Sequence, residues 1–285
     1  NYDVINPFVS STNDSLNRLK PGYEAPVCTV TSLGHSAKMP SRNRTVLVGL
    51  VREIGNTMAT RFELRSPNPK SNTYLVLAAS YMAMLDGIKE ALEHSKTPAD
   101  LEKSISKAYG EKDFYLDTDR IYRSEKDVFD EYTEKERDEF FGKAPRTVWE
   151  NIKAFDENPE KLDIFKRDDV MTDITLDSYR EAIRAQWATE LHDRIIPDTM
   201  DFVRACSKAH DDMDCVDYDR HYWEKIQRLR NQLGRDTLDE MCLLTRIKKA
   251  LDRGDYDQAS DMQIEMQAKV EELMNLYIIY KKNLF

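Results

Sequence analysis

Four short motifs stand in a fixed order between Arg18 and Leu75. The first is Arg18-Leu19-Lys20-Pro21-Gly22-Tyr23-Glu24-Ala25-Pro26-Val27, and the second is Arg42-Asn43-Arg44-Thr45. The third is Arg61-Phe62-Glu63-Leu64-Arg65-Ser66-Pro67; the fourth, Asn72-Thr73-Tyr74-Leu75, opens an apolar run to Leu85-Asp86-Gly87-Ile88. The third alternates charged and apolar residues with the period of a strand, so Arg61, Glu63 and Arg65 share one face while Phe62 and Leu64 take the other. The fourth leads into helical spacing, with Leu75, Ala78, Ala79, Met82 and Leu85 on one side, and predicts a helix over 72–93 that packs against the sheet.

This stretch is basic within an acidic chain. Residues 1–70 hold nine Lys/Arg and five Asp/Glu, against 42 and 52 for the whole chain of 285 residues. Most of these cations are arginines, whose planar fork of donors suits carboxylate and phosphate oxygens. Two readings follow: an anion site for a small carboxylate and a nucleotide phosphate, or a set of surface arginines on loops. Glu63 between Arg61 and Arg65 also reads two ways. Its ionised form is favoured, so it could ligate a hard divalent cation, or it could belong to a salt-bridged strand face.

The four motifs, in this order and near this spacing, resemble the C-terminal part of the glutamine synthetase catalytic domain. The resemblance implies roles residue by residue. Arg18 matches an Arg that holds the glutamate carboxylate, and Arg65 a second one. Glu24 matches the flap Glu that closes the site and helps receive ammonium. Arg44 matches an Arg on ATP phosphate and the acyl phosphate, and Arg61 a basic position beside the nucleotide. Glu63 matches a ligand of the catalytic Mg²⁺ or Mn²⁺. The expected assignments are therefore catalytic Glu24 and Arg44; glutamate-binding Arg18, Glu24 and Arg65; ATP-binding Arg44 and Arg61; and metal-binding Glu63.

Several positions depart from the family pattern. A further ATP-contacting Arg, five residues after Arg44, is here Gly49. A family Lys finds no match in the stretch from Val51 to Thr60, where Arg52 is the substitute to hand. Pro67-Asn68-Pro69 and Asn72-Thr73-Tyr74-Leu75 each differ from the usual motif by one residue. These changes touch nucleotide contacts more than glutamate contacts and suggest a divergent branch. The family's other metal ligands, several glutamates and a His, have no match here, and Asn6-Pro7-Phe8 resembles the middle of a longer family segment. The expectation is a fragment of a larger polypeptide, inactive alone.

Composition bounds the rest. No apolar stretch reaches membrane-span length and no signal peptide is visible. Cys28, Cys206, Cys215 and Cys242 form no CxxC and read as reduced thiols of a cytoplasmic protein. A net charge of −10 argues against nucleic acid. Thr97-Pro98 reads as an N-cap followed by Pro, starting a helix to about Ala108. A further helix is expected near 126–141. Segments 145–179 resemble the family again, less specifically. Asp113-Phe114-Tyr115-Leu116-Asp117 lacks the diprolyl context of adenylylated family members, so Tyr115 is not expected to be modified. The tail shows three apolar stripes: Trp223, Ile226, Leu229 and Leu233; Leu238 to Leu251, with Gly254 as C-cap; and Met262, Met266, Val270, Leu273, Met274, Tyr277 and Ile278. They suggest a helical bundle, an extension that resembles long-chain members of the family.

The expected fold class is α+β: part of the catalytic domain with its site motifs at 1–95, its helical remainder at 96–192, and a helical extension at 193–285. The implied function is glutamate–ammonia ligation at the expense of ATP through γ-glutamyl phosphate, in a homo-oligomeric ring with sites between subunits. Two alternatives stay open: a ligase that joins glutamate to a polyamine, and a degenerate, non-catalytic regulatory homologue.

Overall fold

The computed structural model describes residues 1–16, 19, 30–36, 38–53, 55–213 and 215–284. It is helix-dominated with one small sheet, in keeping with an α+β class. The chain divides into two compact units, Asn1–Ile183 and Arg184–Phe285.

The first unit opens with α1 (Tyr2–Val9) and the short α2 (Asn13–Leu16), followed by β1 (Thr31–Ser32), β2 (Val48–Val51) and β3 (Arg61–Leu64). Then come α3 (Thr73–Glu93), α4 (Pro98–Ile105), α5 (Val128–Glu131), α6 (Glu134–Phe141), α7 (Val148–Glu157) and α8 (Pro159–Leu162). A tight 3-10 stretch at Asp163–Asp169 leads into α9 (Asp173–Glu190). Helix starts follow their caps. Asn72 accepts from the N–H groups of Tyr74 and Leu75 at the head of α3, and Thr97 and Asp100 form a reciprocal capping box before Pro98. The helix expected over 126–141 is two helices. Asp127 caps α5, and Thr133 with Glu136 restarts the chain as α6 through a second capping box.

Two apolar clusters hold this unit. In the larger, Phe8 stacks on Tyr179 at 4.8 Å and meets Phe155 and Phe165 at 5.3 and 5.8 Å. Val76, Ala79 and Met82 bring α3 into it. The smaller comprises Val30, Val46, Val128 and Phe141, which lays α5 and α6 against the chain flanking β1 and β2. The buried face of α3 thus meets α1 and the Asp163–Asp169 stretch, not the sheet as expected from sequence. Its opposite face leaves Tyr74, Leu77, Tyr81, Met84, Ile88 and Leu92 exposed, with Tyr74 at 85% and Leu92 at 71%.

In the second unit a widened turn at Leu191–Ile195 precedes α10 (Ile196–Ala205), because Pro197 has no N–H for the carbonyl four residues back. Helices α11 (Asp217–Gly234), α12 (Leu243–Asp252) and α13 (Tyr256–Asn283) pack on one another. Asn283 bonds Asp219 and Lys269 bonds Gln232, so α11 and α13 run antiparallel. The sequence missed α10. It also began the second stripe too early, since Leu238 lies outside α12 and is fully exposed. No helix among the described residues is long and apolar enough to cross a membrane.

Candidate anion and metal site

The third motif forms β3, and its register places the site. β2 pairs antiparallel with β3, which sets Gly49 opposite Glu63 and Val51 opposite Arg61; β1 pairs parallel with β2. Glu63 and Arg65 do share a face, because Arg65 Nε donates to Glu63 Oε1 at 3.1 Å. The guanidinium, only 10% exposed, also donates from Nη1 to the Asn43 carbonyl at 2.6 Å. One side chain therefore ties the second motif to the third. It has room to do so because position 49 is glycine. A Cβ there would fall 2.8 Å from Arg65 Nη2. The second carboxylate oxygen of Glu63 has no hydrogen-bond partner among the described residues.

The turn that carries Arg44 is held by Asn43. Its Oδ1 accepts from the Thr45 N–H at 2.8 Å and the Thr45 hydroxyl at 2.7 Å, while its Nδ2 donates to the Lys126 carbonyl at 2.5 Å. Thr45 Oγ1 in turn accepts from the Val128 N–H at 3.0 Å, so α5 is fixed to the same turn. Both Arg42 and Arg44 line an open cavity of about 650 Å³, together with Lys38 and His35.

Glu125 anchors the other wall. Its oxygens accept from the Ser32 hydroxyl at 2.6 Å, the N–H groups of Leu33 and Gly34 at 3.0 and 2.9 Å, and Arg123 Nε at 3.0 Å. Burial works to raise its pKa, but these donors outweigh it and hold the carboxyl below its ordinary value. Sequence reading missed Glu125, which sits in a charge-dense stretch where no pattern marks it.

The assigned residues are not all gathered. Glu63 and Arg65 are in contact, and Arg65 reaches the turn that bears Arg44. Arg61 lies exposed at the other end of β3, donating to the Ala59 carbonyl at 3.2 Å. Arg18 and Glu24 lie outside the described residues. Glu63 belongs to no cluster of three metal-ligating side chains among the described residues. Among the described residues such a cluster occurs only at His210, Asp212 and Cys215, and its hydrogen bonding opposes a metal. The Tyr280 hydroxyl already accepts two backbone N–H groups, so its proton goes to His210 Nδ1, leaving the ring proton on Nε2. Arg220 Nε also sits 3.1 Å from Cys215 Sγ.

Residues 2–136 match the glutamine synthetase catalytic domain family. Over this segment the chain is similar to the glutamine synthetase family. A glutamine synthetase of Clostridium saccharobutylicum is 44% identical over 102 residues, 36% of this chain and 19% of that protein. Those of Rhizobium meliloti and Thermotoga maritima are 36% and 38% identical over 139 and 128 residues, each 45% of this chain. The chain thus covers 19% to 28% of the length of these glutamine synthetases.

Proposed function

We propose that this chain is part of an ATP-dependent glutamate–ammonia ligase that works through γ-glutamyl phosphate. The observation that carries the reading is the Arg65 guanidinium, which links Glu63 to the Arg42–Thr45 turn and so joins two family motifs in one place. In this reading Arg18 and Arg65 bind glutamate, Glu24 closes the site and receives ammonium, and Arg44 and Arg61 serve the nucleotide. Glu63 offers one unengaged carboxylate oxygen, the donor type that Mg²⁺ or Mn²⁺ prefers. One carboxylate cannot hold such an ion, so its other ligands come from outside the described residues. When bound, the ion neutralises phosphate charge.

The chemistry explains the arginines. A glutamate carboxylate oxygen attacks the γ-phosphorus and ADP leaves. Ammonia then attacks the acyl carbon and phosphate leaves. Two anions approach in the first step, and fixed cations offset that repulsion without supplying water to the acyl phosphate. The exposed apolar face of α3 supports the view that more of the catalytic domain covers this chain, since lone domains rarely show such a stripe. A ring with sites between subunits and a cytoplasmic location accompany the same reading.

The test is phosphate release by the full-length polypeptide with ATP, Mg²⁺ and glutamate. Dependence on ammonium, lost in Glu63→Ala, is expected. Dependence on a polyamine would move the protein to the other ligase class. Silence with every amine would make it a non-catalytic homologue.

A further inference from the structure

A second cavity, of about 540 Å³, lies between α1 and α7 and is lined by none of the four motifs. Asn6 and Asn151, both buried and bonded to each other at 2.9 Å, join the two helices beside it. Arg120 forms another part of the wall and is held from three sides. Its carbonyl accepts from Lys107 Nζ at 2.7 Å, and the next N–H, that of Ile121, donates to the Phe140 carbonyl at 2.7 Å. Its Nη1 donates to Asp3 Oδ1 at 3.1 Å. Gly142, at φ +87°, lets the guanidinium lie against the chain, since a Cβ there would fall 3.1 Å from Arg120 Cζ.

The charges on the cavity wall balance. Arg120, Lys143 and Lys153 are set against Asp3, Glu150 and Glu157, three of each sign. Most of them are already engaged. Asp3 gives its other oxygen to Lys161 Nζ at 2.9 Å, Glu150 accepts the Arg146 N–H at 2.7 Å and lies 3.9 Å from Lys143, and Lys153 is partnered too. Two groups are left over. The Nε–Nη2 edge of Arg120 makes no hydrogen bond with a described residue, although the side chain is only 21% exposed. Glu157, exposed at the end of α7, makes no hydrogen bond or ion pair with a described residue. The free guanidinium edge is a fork matched to a carboxylate. A phosphate or a dicarboxylate would bring surplus negative charge to a wall that has no surplus cation. A molecule with one carboxylate and one ammonium matches both free groups and adds no net charge.

We propose that this cavity binds a small amino-carboxylate zwitterion, its carboxylate on the Nε–Nη2 edge of Arg120 and its ammonium on Glu157. The assignment is independent of the ligase reading, because no residue of the motifs that carry that reading lines the cavity.

NMR of the 285-residue chain tests it through the Arg120 Nε–H resonance, identified by its loss in Arg120→Lys. The probes are glycine and 4-aminobutyrate, zwitterions of two lengths, and butyrate, a carboxylate alone. At least one zwitterion is expected to shift that resonance to saturation and to bind about tenfold more tightly than butyrate, the gain of one charge-assisted contact. Arg120→Lys keeps a cation for Asp3 but removes the fork, and should weaken the zwitterion by about tenfold, read at the Ala154 amide. Glu157→Gln alters an exposed side chain and should bring the zwitterion down to the affinity of butyrate. Glu160→Gln, exposed and outside the cavity, is the control and should bind as wild type. Circular dichroism verifies that each variant is folded. An Arg120 resonance that no probe moves would overturn the proposal. So would butyrate binding as tightly as both zwitterions, or zwitterion affinity unchanged in Arg120→Lys or in Glu157→Gln.

Discussion

Asn43 and Glu125 fix the candidate site more firmly than the arginines that mark it. Asn43 uses both ends of its amide to close its own turn and to hold the backbone beside α5. Asn43→Ala is expected to destabilise the first unit by about 2 kcal/mol in urea unfolding, the loss of several half-buried hydrogen bonds. Glu125 gives a pH signature. Its folded pKa lies below the ordinary 4.5, so the stability it contributes is present above that value and fades as pH falls through the folded pKa. Glu125→Gln should therefore unfold more easily than wild type at pH 7, and the difference should shrink in acid. A constant difference from pH 7 to pH 3 would contradict this account of Glu125. The motifs singled out Arg44, Arg61, Glu63 and Arg65; the structure ties Glu63 and Arg65 to the turn that bears Arg44 and leaves Arg61 at the other end of β3. Asn43 was visible only as a motif letter, and Glu125 not at all, because a carboxylate that anchors a turn across some 90 residues leaves no local pattern.

Helix starts were readable where a side chain caps them, and boundaries failed where tertiary contacts decide. Apolar spacing announced α3, whose cap Asn72 went unread, and Thr97 announced the start of α4, which ends at Ile105 and not near Ala108. Thr133 and Glu136 spell a capping box too, yet the surrounding charge concealed the break between α5 and α6. The join between α1 and α7 was beyond local reading. Asn151 Nδ2 donates to the carbonyls of Ser10 and Asn6 at 2.9 and 3.3 Å, and its Oδ1 accepts from Asn6 Nδ2 at 2.9 Å, all buried. Asn151→Leu strands those groups and is expected to cost about 3 kcal/mol, lowering the melting temperature by roughly 6–12 °C. In the second unit Tyr280 plays the equivalent part. Its fully buried ring rises from α13, and its hydroxyl accepts from the N–H groups of Ala209 and His210 at 2.9 and 3.1 Å. Tyr280→Phe should cost about 2 kcal/mol. Hydrogen exchange at those two amides should quicken; unchanged protection there would mean that other contacts hold the segment.

Taken together, the chain pairs a recognisable catalytic-domain segment with a helical bundle that no motif explains. The first was legible because its four motifs keep particular residues in a fixed order and spacing, and Arg65 shows how two of those motifs are tied together. The bundle was legible only as stripes, since apolar spacing reports burial and not purpose. Gly49 joins the two kinds of information. In sequence it is a missing cation, and in structure it is the space into which Arg65 folds. The proposed chemistry can be followed by the fate of one oxygen. The full-length polypeptide would be given glutamate labelled with ¹⁸O in the γ-carboxylate, with ATP, Mg²⁺ and ammonium. The account predicts that the released inorganic phosphate carries ¹⁸O from glutamate, because that oxygen leaves with the phosphoryl group. Phosphate released without the label would show that water, not glutamate, takes the phosphoryl group, and would contradict it.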